Sequence, residues 1–353
     1  MSAEVGRRGL LAGALALAGC SGHAAEPPPA PALPPLKSAV SWPMGCAVTE
    51  AFLDDPAYAG LVTRNFSQLT AEYEMKMEAM LRPDGSLDIT RADAIAAFAR
   101  QNGLRLHGHT LIWHAEDGPW FRSLASDKAA FARAYDGYIS GVVGHFKGRC
   151  VGWDVVNEVV AEDGDGYRDC LWRLVLGMEH VARAFHVARA ADDQAVLFLN
   201  DYNLEAFPRK RATFLRLVEQ LLKSGAPVTG IGAQSHLQVD LAPGAITTAM
   251  KDLASLGLPI HVSELDCSTR PLSKVDLTSR PDRLARQARL VGELREAFAA
   301  LPAAQRYALT LWGLRDGDSW LTNPEKHGDR DDEPLFFNDQ GEPKPLARTL
   351  IGR

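Results

Sequence analysis

Glu158 and Glu264 each close an apolar run, the first in WDVVNE and the second after HVS. A carboxyl group at the end of a buried strand adds nothing to packing, so the pair is read for its chemistry. One carboxylic acid that protonates a leaving oxygen, and one carboxylate that meets an oxocarbenium-like transition state, are what cleavage of a glycosidic bond requires. Asn157 precedes Glu158 and can hydrogen-bond a sugar hydroxyl beside the reacting carbon, an interaction that strengthens as charge develops. His236, in GAQSH, is placed to hold Glu264 ionised and oriented. In the free protein Glu158 is expected to carry the proton, because an ionised Glu264 nearby disfavours a second negative charge.

Trp113, Trp312, Trp320 and Tyr202 suit the apolar faces of sugar rings while keeping a polar edge free. Lys76, in TAEYEMKMEAM, can donate to sugar hydroxyls or pair with Glu72. These groups need a scaffold that gathers them. Eight apolar runs supply one: AVSWPMGCAV, LVTRNFSQL, LRLHGHTLIW, CVGWDVVNE, AVLFLNDY, VTGIGAQSHL, PIHVSEL and YALTLWGL. Between them lie segments such as RADAIAAFARQN and PRKRATFLRLVEQLLKSG, whose apolar residues recur at three and four as in amphipathic helices. Repeated βα units predict an α/β fold, a single-domain (β/α)8 TIM barrel, with a doubly wound open sheet as the alternative. Active sites of barrels gather at the C-terminal ends of the strands. The polar ends HGHTLIWH, WDVVNE, NDYN, GAQSHL, SEL and LWGLRD obey that rule together, although any one of their residues alone reads as ordinary core.

Composition narrows the function classes. With 46% hydrophobic and 23% charged residues, the 353-residue chain can bury a substantial core, and its net charge of -6 offers no basic face to nucleic acid. Residues 1–20, MSAEVGRRGLLAGALALAGC, read as an export signal: Arg7 and Arg8 favour the twin-arginine route, and the apolar run is too short to span a bilayer. The LAGC end resembles a lipobox, which makes Cys20 the lipidation site and its lipid the one membrane attachment. Residues 21–37 are proline-rich and expected to form an extended spacer, leaving 38–353 for the barrel. Cys46, Cys150, Cys170 and Cys267 lie far apart, without a CxxC pair or a His/Cys cluster at ligand spacing. No metal or cofactor is expected, and disulfide pairing stays open. The expectation is an exported monomer, lipid-anchored at the cell envelope in the periplasm or at the outer membrane, with secretion as the alternative.

From about Ser41 to Ala347 the chain resembles glycoside hydrolase family 10, the retaining endo-1,4-β-xylanases. The resemblance rests on LTAEYEMK, GHTLIWH, WDVVNE, NDYN, GIGAQSHL, SELD, LWGLRDGDSWL and PLFFNDQGEPKP in that order. It implies Glu158 as acid/base and Glu264 as nucleophile, with Asn157 and His236 as their supports and Gln234 and Tyr202 near the reacting sugar. It further implies that Glu72, Lys76, His109 and Trp113 hold the non-reducing side of xylan or a xylo-oligosaccharide, and that Trp312 and Trp320 cover the cleft. Three residues depart from the family pattern: Tyr73 where Asn is usual, Met77 where Trp is usual, and Glu116 where Gln is common. All three are expected on the non-reducing side, where a phenol in place of a small amide shortens or reshapes a distal subsite. A glycan-binding lipoprotein without catalysis, and a β-glycosidase of other specificity, are the competing readings.

Overall fold

The computed structural model describes residues 33–271, 278–326, 329 and 331–353. Eight parallel strands form its centre: β1 (Met44–Val48), β2 (Gln68–Ala71), β3 (Arg105–Gly108), β4 (Cys150–Asn157), β5 (Val196–Asp201), β6 (Gly230–Ala233), β7 (Ile260–Ser268) and β8 (Arg306–Leu311). Each pairs with the next in sequence, and β8 returns to β1 through Met44–Leu309, Gly45–Thr310 and Cys46–Leu311. That last pairing closes the sheet into a barrel and excludes the open doubly wound alternative. Two short strands, Ile112–Trp113 beside β4 and His236–Gln238 beside β7, lengthen the barrel at its C-terminal end.

Parallel strands buried on both faces read as continuous apolar runs, and all of β1 and β7 is buried. Long helices, among them Thr90–Gln101, Lys128–His145, Glu179–Ala191, Pro208–Lys223, Ala245–Ala254 and Arg280–Ala299, cover the outside. Pro208 starts its helix at the one position where a missing N–H costs nothing. Phe214, Leu217, Val218 and Leu221 follow at the three-and-four spacing that faces the strands. Gly232 serves the site directly, because a Cβ there would stand 2.2 Å from Asn200 Oδ1.

Some expected boundaries move. Most of LVTRNFSQL is not strand: Leu61 to Asn65 end the helix Pro56–Asn65, and β2 begins only at Gln68. The helix wins because the Asp55 side chain accepts from Ala57 N at 2.9 Å, Pro56 fixes the first turn, and Tyr58 and Val62 bury one face. Likewise only Met44–Val48 of AVSWPMGCAV is extended in the sheet. The spacer is shorter than 21–37 as well. Leu33 and Leu36 are buried, Leu36 opens the helix Leu36–Ala39, its N–H donates to Asn65 Oδ1 at 3.3 Å, and Lys37 Nζ donates to Thr63 O at 2.7 Å. Two leucines three positions apart give this stretch enough apolar surface to dock, so the compact unit begins at Leu33. The export signal and Cys20 lie outside the described residues; Cys46, Cys150, Cys170 and Cys267 are unpaired thiols.

If the Leu36 segment is part of the folded unit, Leu36→Ala lowers the unfolding free energy by about 2–5 kcal/mol, the usual cost of emptying a buried leucine site. Denaturant unfolding reads this directly, and an unchanged midpoint would return the segment to the spacer.

Candidate active site

The strands end at one rim, and there lies a cavity of about 480 Å³. Its lining consists of the twelve residues Glu72, Lys76, His109, Trp113, Asn157, Glu158, Tyr202, Gln234, His236, Glu264, Trp312 and Trp320. All sequence-derived site residues except the lipidation site Cys20 are therefore brought together. Among the described residues the non-glycines with positive φ are Glu158 (58°), Asn203 (58°) and Ser235 (59°), and each directly follows or nearly follows a barrel strand. Left-handed backbone at a non-glycine costs free energy and persists where the surroundings impose it, as at functional sites. For Glu158 the imposing contacts are its own N–H, which donates to Asn200 O at 2.8 Å, and its carbonyl, which accepts from Arg168 Nε at 3.1 Å.

Glu264 is nearly buried on β7 and is surrounded by donors. Asn200 Nδ2 donates to its Oε1 at 2.8 Å, and His236 Nε2 stands 3.4 Å from its Oε2. The other nitrogen of His236, Nδ1, is 2.9 Å from Asp266 Oδ2, which also accepts from Trp320 Nε1 at 2.9 Å. Burial pushes the His236 imidazole toward neutrality, but Asp266 and Glu264 outweigh it and raise its pKa to about 10. His236 is thus a cation held between the two carboxyl groups, and of these Asp266 has its pKa raised by burial in spite of the cation. Asn200, Asp266 and the Asp154 that accepts from His109 Nδ1 at 2.8 Å went unremarked in the sequence.

Glu158 is held differently from expectation. Its Oε1 accepts from Gln234 Nε2 at 3.1 Å and Asn157 Nδ2 at 3.2 Å, and its Oε2 faces His114 Nε2 at 3.0 Å. Burial pushes its pKa up, yet hydrogen bonds led by that of His114 bring it down to about 2. The carboxyl group is therefore ionised in the substrate-free protein, which corrects the assignment of the proton to it. His114 was the missed residue: it ends GHTLIWH, and only the short strand Ile112–Trp113, paired to β4 at Val156 and Asn157, brings it beside Glu158.

A ladder of amides joins the two glutamates. Asn200 Nδ2 donates to both Glu264 Oε1 and Asn157 Oδ1 (2.9 Å), while Asn157 Nδ2 donates to Glu158. On one flank Lys76 Nζ stands 4.9 Å from the Trp113 ring centre and 5.8 Å from that of Trp312. On the other, the Tyr202 hydroxyl bonds Glu162 and Arg168 while the buried Lys210 ammonium lies 3.4 Å below its ring, paired with Asp201 at 3.0 Å. Tyr73, Met77 and Glu116 do not line the cavity. Tyr73 is partly exposed beside Arg91, Met77 is buried, and Glu116 is buried with its Oε2 accepting from Glu78 N at 2.9 Å.

The sequence model for glycosyl hydrolase family 10 matches residues 35–352. The chain is 35% identical to a beta-1,4-xylanase of Dictyoglomus thermophilum, with 83% of this chain and 84% of that one aligned. It is 32% identical to endo-1,4-beta-xylanase A of Thermoanaerobacterium saccharolyticum across 88% of its own length, but spans only 27% of that longer relative. Xylanase XynB of Paenibacillus barcinonensis superposes with a TM-score of 0.84 at 31% identity, covering 92% of this chain and 99% of the solved one.

Removing the imidazole beside Glu158 tests how its charge is set. In His114→Ala the Glu158 pKa of the substrate-free protein rises from about 2 toward the ordinary carboxyl range, because the largest of the opposing hydrogen bonds is gone and burial remains. Isotope-edited infrared titration of the carboxyl band follows the change; a pKa that stays put would assign the depression to Trp113 and Gln234 instead.

Proposed function

The chain belongs to glycosyl hydrolase family 10, and from that premise we propose that it is a retaining endo-1,4-β-xylanase, cleaving internal β-1,4-xylosidic bonds of xylan or xylo-oligosaccharides. The observation that carries the reading is the pair Glu158 and Glu264, joined by amides and facing one cavity whose walls are aromatic rings and hydrogen-bonding side chains. In the first step Glu264 attacks the anomeric carbon, the bond to the leaving oxygen breaks, and Glu158 delivers a proton to that oxygen. In the second, Glu158 takes a proton from water, the water attacks the same carbon, and the bond to Glu264 breaks. Protonated His236 and the Asn200 amide aim Glu264 before attack and stabilise its carboxylate again on departure. The hydrogen bond from His114 favours the charged form of Glu158 in the free state, so Glu158 takes up its proton only once substrate has changed its surroundings. The Tyr202 ring, clamped by Lys210, Arg168 and Glu162, supports the reacting sugar, and Lys76 between Trp113 and Trp312 supports the non-reducing side.

Release of reducing ends from xylan tests the activity, and aryl xylobioside against aryl cellobioside tests the specificity. The proposal requires turnover of xylan and a clear preference for the xylobioside. No turnover would favour a glycan-binding protein, and a cellobioside preference would favour another β-glycosidase.

Tyr73 follows Glu72, which lines the cavity, and its ring stands partly exposed next to Arg91. If it limits a distal subsite, Tyr73→Asn raises turnover of longer xylo-oligosaccharides relative to xylobiose derivatives; an unchanged ratio would remove it from the substrate path. The proposal extends to the cell envelope through residues 1–20. Cys20→Ser should release the protein from the membrane fraction, and an unchanged distribution would refute the lipid anchor.

A further inference from the structure

Below the cleft, inside the barrel, His107 on β3, Asp154 on β4 and His261 on β7 offer one ligand atom each within 4.8 Å of one another, all of them buried. Their hydrogen bonds divide in a regular way. One atom of each is held by the protein: His107 Nδ1 lies 3.1 Å from the Tyr307 hydroxyl, His261 Nε2 lies 2.8 Å from Thr310 Oγ1, and Asp154 Oδ2 faces His109 Nδ1 at 2.8 Å. The remaining atom of each, His107 Nε2, His261 Nδ1 and Asp154 Oδ1, has no protein hydrogen-bond partner. Buried polar atoms are almost always satisfied, so three such atoms in one group call for an explanation.

The tautomers sharpen the point. His107 Nε2 stands 3.2 Å from Asp154 Oδ1: in the tautomer whose Nδ1–H goes to Tyr307 a lone pair faces that oxygen, and in the other an Nε2–H does. Two acceptors facing each other in a low-dielectric interior repel unless positive charge lies between them. His261, in the tautomer that gives Nε2–H to Thr310, has a second lone pair at Nδ1.

We propose that His107, Asp154 and His261 bind one divalent transition-metal ion inside the barrel, with zinc as the ion that two imidazoles and one carboxylate suit. Imidazole and carboxylate donors in this ratio are a common zinc set. In such sites the outer nitrogen of each histidine and the outer oxygen of the carboxylate are hydrogen-bonded by the protein, which fixes tautomer and orientation. Tyr307, Thr310 and His109 occupy those three positions. Ligands about 2.0–2.2 Å from a tetrahedral zinc stand roughly 3.3–3.6 Å apart; the His107–Asp154 pair is already near that spacing at 3.2 Å. Gln68, whose Oε1 is also buried without a protein partner, adjoins His261 and is a further neutral donor. Asp154 connects the ion to the cleft, since its other oxygen holds His109, 4.0 Å from Glu264.

The full chain, unfolded with chelator and refolded with or without equimolar zinc, tests the proposal, because an ion at a site this buried enters most readily before the barrel closes. After desalting, the zinc-refolded protein should retain about one zinc per chain and melt several degrees above its chelated counterpart. Thr310→Val, which removes only the outer partner of His261, should weaken zinc binding roughly 10–100-fold. His261→Gln should abolish retention. If either variant fails to fold, the two wild-type samples decide alone. Retention below about 0.1 zinc per chain, with identical melting in both samples, overturns the proposal and leaves a proton between His107 and Asp154.

Discussion

Glu264 and Asp266 stand two positions apart on β7, point to the same face of the strand, and share one cation, His236. Two carboxylates taken out of water at that separation would drive at least one to take up a proton. The imidazolium opposes this, although burial still raises the pKa of Asp266, and much of the rim follows from the need to hold the cation there. The short strand His236–Gln238 exists beside β7 in register His236–Asp266, and Trp320 donates to the same Asp266 oxygen that His236 holds. The linkage has a definite sign. A histidine pKa raised to about 10 from near 6.5 contributes stability that is fully present below about 6.5 and is lost as pH rises through about 10.

The second glutamate is governed by the opposite difficulty. A general acid has to hold a proton when substrate is bound, yet Glu158 sits in left-handed backbone among donors that favour its charged form. The barrel resolves the geometry first. Closure of β8 onto β1 fixes the rim, the Asn200–Asn157 ladder fixes the distance between the two carboxyl groups, and Gly232 leaves the space Asn200 needs. Protonation of Glu158 is then left to substrate, which displaces water and presents a leaving oxygen.

Much of this was legible in the sequence, for a physical reason. Polar residues at the ends of apolar runs have few folding explanations, so Glu158 and Glu264 stood out, Gln234 followed from the family resemblance, and the repeated βα pattern told which end of the barrel they share. What stayed hidden depends on contacts between distant segments. Asn200 lies in NDYN and reads as one more strand-end amide until β5 sets it between β4 and β7. His114 is anonymous until a two-residue strand places it over Glu158. His107, Asp154 and His261 form no spacing motif because three separate strands carry them. The missed boundaries have local causes: a proline-started, Asp55-capped helix overrode an apolar run before β2, and two leucines turned the end of a proline-rich stretch into part of the folded unit.

The division of labour between the two glutamates is the centre of the account, and azide rescue with an activated aryl β-xyloside tests it most directly. In Glu158→Ala the covalent intermediate still forms, and azide should intercept it from the opposite face to give the β-xylosyl azide. In Glu264→Ala azide should occupy the space of the lost nucleophile and give the α-xylosyl azide. Anomers assigned by NMR in that pattern fit Glu158 as acid/base and Glu264 as nucleophile; the reverse pattern would contradict the assignment.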